Sequence, residues 1–152
     1  MQIETRTLQF DHLLVHETKQ LKTDWQSGVF MMEEVPLALD IYKNGPIFFS
    51  VRPEENEKNF GHFTYYLPLN EAVTLEDETY FKYQETFQVE KALVLRQADQ
   101  AVNFQAAHEK IKKYAIEQGI KLEETFYCVL IEVYDDVIID LYVPIKKRSD
   151  DE

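Results

Sequence analysis

Residues 3–10 alternate, with Ile3, Thr5, Thr7 and Gln9 on one side and Glu4, Arg6, Leu8 and Phe10 on the other. A period of two predicts a strand, carried on through Leu13, Leu14 and Val15. Over residues 24–43 the period lengthens: Val29, Met32, Val35, Leu39 and Tyr42 fall three and four apart, which predicts a helix. Pro36 interrupts this stripe, so the helix either kinks there or starts later with Pro36 in its first turn. Asn44-Gly45-Pro46 predicts the stop, with Gly45 as a left-handed cap and Pro46 barring continuation. Residues 47–52 and 61–69 read as two strands, joined across the charged loop 53–59 as a hairpin.

The same order follows a second time. Residues 80–97 are rich in Phe, Tyr and Val and predict one or two strands. Asp99 is placed to cap a helix whose apolar side is Phe104, Ala107, Ile111, Tyr114 and Ala115, and Gly119 closes it. Residues 125–134 and 137–145 predict a closing hairpin around Asp135-Asp136. The final strands share wording: Tyr66-Leu67-Pro68-Leu69 and Tyr142-Val143-Pro144-Ile145. A Pro at that point fits a strand end or an edge. The expectation is an α+β fold built from tandem duplicated strand-helix-strand-strand units, each packing its helix on one side of an antiparallel sheet. Repeat one spans about 1–70, an acidic linker 71–79, repeat two about 80–146, and a polar tail 147–152, all in a single domain.

Composition narrows the function. Twenty-eight acidic against 16 basic side chains give a formal charge of −12. That field repels phosphate backbones and anionic membrane surfaces, so neither nucleic acid nor membrane is an expected partner. It suits a small cationic molecule or a basic protein partner. The single cysteine, Cys128, excludes an internal disulfide and a cysteine-based zinc site. The four histidines show no metal spacing, and no phosphate loop or nucleophile elbow occurs, so no metal, cofactor or catalytic residue is assigned. The opening residues carry no secretory signal, and the expected address is the cytoplasm.

The second half carries a family signature. Ile131-Glu132-Val133-Tyr134, the turn Asp135-Asp136, then Asp140-Leu141-Tyr142-Val143-Pro144-Ile145 resemble the C-terminal signature of the GyrI-like superfamily. That superfamily includes the effector-binding domains of multidrug-responsive transcription activators. The resemblance covers residues from about 89 onward. The first half matches in element order alone, with His16-Glu17-Thr18 where many members have a glycine-rich turn. The resemblance implies two repeats about a pseudo-two-fold axis and a groove that accepts small aromatic or cationic ligands. It places Glu132 as the groove's acidic residue.

Strand alternation puts Phe126, Cys128, Leu130, Glu132 and Tyr134 on one face. In the closing strands it puts Asp140 with Tyr142, and His62 with Thr64 and Tyr66. Glu132, Tyr134, Tyr142, Tyr66, His62 and Asp140 are therefore the candidate ligand-binding residues, with carboxylates for a cation and Tyr rings for cation–π contact. The first reading is a stand-alone small-molecule-binding protein. One alternative is an accessory subunit that binds protein partners. The other is a hydrolase of reactive small molecules using Glu132.

Overall fold

The computed structural model describes residues 3–39, 41–54, 57–75, 80–97, 104–133 and 136–146. They form β1 (Glu4–Leu21), α1 (Trp25–Leu39), β2 (Phe48–Glu54), β3 (Glu57–Pro68), β4 (Lys82–Gln97), α2 (Phe104–Gln118), β5 (Phe126–Val133) and β6 (Asp136–Pro144). The fold is α+β, in the expected order. Asp99, residues 76–79 of the acidic linker and the polar tail lie outside the described residues. None of the described helices is long and apolar enough to cross a membrane. The chain divides into two compact units: Gln9–Gln88, and Met1–Leu8 together with Val89–Glu152.

In the first unit, Gln9–Gln88, β3 is the middle strand. It runs antiparallel to β1 from Leu13↔Pro68 to Leu21↔Phe60, and to β2 from Phe48↔Tyr66 to Pro53↔Gly61. Its alternation sends Phe63, Tyr65 and Leu67 to one face, where all three are buried. Helix α1 lies on that face and buries Val29, Met32 and Val35. Gly28 permits the close approach, because a β-carbon there would overlap the Tyr65 ring. The Tyr65 hydroxyl donates to the Trp25 carbonyl at 2.9 Å and accepts from Gln20 at 2.8 Å, tying sheet to helix. Pro36 neither starts nor ends α1; it sits inside the last turn, where its carbonyl accepts the Ile41 N–H at 3.1 Å. The helix thus stops at Leu39, and Tyr42 falls off the apolar stripe into solvent.

In the second unit, β6 is the middle strand. It runs antiparallel to β4 from Ala92↔Pro144 to Gln97↔Ile139, and to β5 from Tyr127↔Tyr142 to Val133↔Asp136. Ile139, Leu141 and Val143 are fully buried on one face. Helix α2 packs on β6 and buries Ala107, Ile111 and Ala115. A large aliphatic side chain such as Ile111 contributes about 1.5–3 kcal/mol when taken from water, before entropy is charged against it, and an alanine methyl about 0.8 kcal/mol. Cys128 faces Leu141 across the ladder and is buried.

The two units close with the same set of bonds. The Pro68 carbonyl accepts from Asn44 N at 2.8 Å, and the Pro144 carbonyl from Glu123 N at 3.0 Å. Leu69 N donates to His12 at 2.7 Å, and Ile145 N to Lys91 at 2.9 Å. Asn70 N reaches Tyr42 at 3.1 Å, and Lys146 N reaches Lys121 at 2.8 Å. Isolated bridges Lys43↔Leu69 and Leu122↔Ile145 complete the pattern. Both prolines end their strands, where a missing N–H is harmless.

The glycines do not match as the sequence pattern predicts. Gly119, at φ 69°, directly follows α2 and terminates it. Gly45, at φ 152°, comes after the Lys43–Leu69 bridge and caps nothing. It is needed for a close approach: a β-carbon there would stand 3.2 Å from the Pro68 Cβ.

Candidate functional site

Residues directly opposite one another in a ladder share a face. In the second unit, Val94, Tyr142 and Tyr127 therefore stand together, followed by Arg96, Asp140 and Val129. This face is the one that α2 does not cover. Asp140 is 2% exposed in the middle of it. A lone carboxylate so placed would cost several kcal/mol. Arg96 compensates with a two-pronged bond, Nε to Oδ1 at 2.7 Å and Nη2 to Oδ2 at 3.0 Å. Arg6 brings a second guanidinium to 4.0 Å from Oδ2 and pairs on its other side with Glu4. The Asp140 carboxylate holds the Arg96 guanidinium more firmly protonated than usual. Burial and Asp140 push the Tyr142 phenol up, and a hydrogen bond from Arg6 partly offsets this. Burial and Glu123 push the Tyr127 phenol up as well.

The first unit carries a different chemistry at the matching register. Tyr66 stands between Val15 and Phe48. The Phe48 ring stacks on it at 4.6 Å and 9°, and Phe87 tilts against both at 5.0 Å. Phe10 stacks on Phe48 at 4.9 Å. One step along, where the other unit has Asp140 between Arg96 and Val129, Thr64 stands between Glu17 and Ser50, and Thr64 and Ser50 are buried. His62 follows on the same face, half-buried, with its Nε2 3.9 Å from a Glu17 carboxylate oxygen.

The structure thus brings Asp140 to Tyr142 in one unit, and His62 to the Tyr66 face in the other. Glu132 stands apart. Its alternation with Cys128 and Leu130 sets it on the α2 side of the sheet, at the hairpin end, where it is exposed. Tyr134 lies outside the described residues. The pattern of the chain passes over Arg6 and Arg96, whose role depends on a register between distant strands. One signal points to Arg96: it follows the buried run Ala92–Leu95, so its head emerges beside whatever the neighbouring strand buries. Among the described residues, no group of three His, Cys, Asp or Glu side chains comes together to hold a metal ion.

No protein-family model matches the chain, and no curated protein matches it in sequence. Solved structures do match. The EcmrR C-terminal domain is similar over 97% of this chain and 100% of that one, with TM-score 0.69 and 10% identity. In the EcmrR–DNA complex the likeness covers 96% of this chain and 58% of that protein, with TM-score 0.68 and 9% identity. An uncharacterized conserved protein from Listeria innocua is similar over 95% of this chain and 92% of its own, with TM-score 0.65 and 11% identity. SAV2435, solved bound to tetraphenylphosphonium, covers 96% of this chain and 94% of its own, with TM-score 0.58 and 15% identity. At such identities the likeness is one of architecture, and the chain shares the α+β fold of the EcmrR C-terminal domain and of SAV2435.

Proposed function

We propose that the protein binds a small hydrophobic cation, with the Asp140–Tyr142 face of the second unit as its ligand-facing surface. The carrying observation is a buried carboxylate beside a tyrosine, neutralised by an arginine whose side chain is 55% exposed. Arg96 can swing its head into water and release the carboxylate. A cation then takes its place, with Tyr142 and Tyr127 supplying ring faces. SAV2435, of the same fold, is solved with an organic cation of this class, which supports the reading. Glu132, exposed and on the other face, has no part in it. The matched closing bonds of the two units support an internal duplication in which one copy has a buried carboxylate, Asp140, where the other has Thr64.

The test is titration with tetraphenylphosphonium, read through tyrosine and Trp25 fluorescence. Saturable binding is expected, weakened about tenfold or more by Asp140→Asn and unchanged by Glu132→Gln. Absence of saturation sinks the cation reading. Equal binding by a folded Asp140→Asn protein moves the site elsewhere.

A second reading, a protein-interaction subunit without a small ligand, draws on the first unit. There Phe10, Phe48 and Phe87 already fill the space over Tyr66. The acidic surface would then meet a basic partner, and capture would be lost at high salt.

A further inference from the structure

Among the described residues, His12 is the one non-glycine with positive φ, at 58°. A side chain pays free energy to hold that conformation. The fold does not demand it. Lys91 occupies the matching place in the second unit, its carbonyl accepting from Ile145 N as that of His12 accepts from Leu69 N, and its φ is ordinary. The strain therefore serves something local to His12. It brings the imidazole Nδ1 to 2.7 Å from the Tyr83 hydroxyl. It also sets the ring at the edge of a cavity of about 440 Å³ within the first unit. Gln9, Asp11 and Asn44 give this cavity a polar rim, and Phe10 and Pro68 an apolar wall. Its size falls in the range of small-molecule sites, about 300–1,000 Å³.

Asp11 is the one carboxylate among the described residues that line the cavity. Burial first, then the nearby Glu85 and Asp11 carboxylates, hold the Tyr83 proton more tightly than usual. Acceptors for N–H groups stand at the rim: the Asp11 carboxylate and the amide oxygens of Gln9 and Asn44. We infer that this cavity binds a small primary ammonium carried on an apolar body, the charge on Asp11 and the body against Phe10 and Pro68. His12 is a positioning residue here, locked by Tyr83. The site is built from other residues than the Asp140–Tyr142 face and stands or falls without it.

The probe is phenethylammonium chloride, titrated into the full chain by calorimetry and by amide chemical shifts, with 2-phenylethanol as the uncharged comparison. The expected result is saturable binding of the amine alone, with shifts centred on the Asn44 and Leu69 amides. Asp11→Asn, a change at an exposed residue, lowers affinity about tenfold while leaving tetraphenylphosphonium binding untouched. His12→Gly relieves the strain, so it melts no lower than the parent and loses binding. Equal binding of 2-phenylethanol overturns the inference. So do shifts elsewhere in the chain, unchanged affinity in Asp11→Asn, or a lower-melting His12→Gly that still binds.

Discussion

Tyr66 and Tyr142 hold one register position in their respective sheets: each has a valine opposite on the long strand and an aromatic ring opposite on its hairpin mate. The divergence lies one step away, where Thr64 and Glu17 in one unit answer to Asp140 and Arg96 in the other. The two positions share geometry and differ in charge.

Arg96→Met leaves the Asp140 carboxylate buried with Arg6 alone nearby, and costs about 2–3 kcal/mol. Adding Asp140→Leu recovers most of that loss, because the desolvated charge is gone along with its partner. Urea unfolding of the single and double variants measures the difference. A double variant no more stable than Arg96→Met contradicts the account.

Gly28→Ala gains helix propensity of roughly 1 kcal/mol yet destabilises the protein overall. The new methyl must displace a Tyr65 ring fixed by two hydrogen bonds, an overpacking cost of about 1–3 kcal/mol or more. Tyr65→Leu should relieve the clash, so the two changes are non-additive in thermal melts.

Cys128 is inert in the folded protein. Burial raises its thiol pKa well above the ordinary value, so little thiolate forms and no reagent reaches it. Labelling by a disulfide reagent at neutral pH should track the unfolding rate and accelerate sharply in urea. Fast labelling without denaturant refutes this.

Alkali should unfold the protein. Burial and neighbouring carboxylates hold the protons of Tyr83, Tyr127 and Tyr142 above the usual tyrosine range. As pH passes about 10, the unfolded chain releases these protons before the folded one does. The stability they support is complete below that pH and is lost above it. Melting temperatures between about pH 8 and pH 11 should fall at the upper end, with delayed tyrosine ionisation in the ultraviolet. A flat profile contradicts the assignment.

Element order was legible because periods of two and 3.6 are properties of short windows. Strand extents were less so. β1 runs on to Leu21 through the polar stretch after Val15, where the Gly61 and Phe60 ladder holds it without an apolar signal. Gly45 read as a cap because Asn-Gly-Pro ends helices often, while its actual constraint is the Pro68 ring behind it. Glu132 attracted notice through its apolar neighbours in sequence. Asp140 is the carboxylate that is buried, and what permits its burial is contributed by Arg96 and Arg6 from other strands. A single strand read alone shows which face a side chain takes, and only the pairing shows what stands over that face.

Residues 3–8 pack with the unit that holds the chain from Val89 onward: Thr7 bonds the Glu90 carbonyl at 2.7 Å, and Arg6 faces Asp140. The division between the units therefore falls inside β1 and inside β4, not between elements. A gene split after residue 70 would give a C-terminal fragment that keeps β4 but lacks the opening residues of β1, Arg6 and Thr7 among them. That fragment should be less stable than the unit in the whole chain, and a peptide of residues 1–8 should restore the Arg6 and Thr7 contacts and raise its melting temperature.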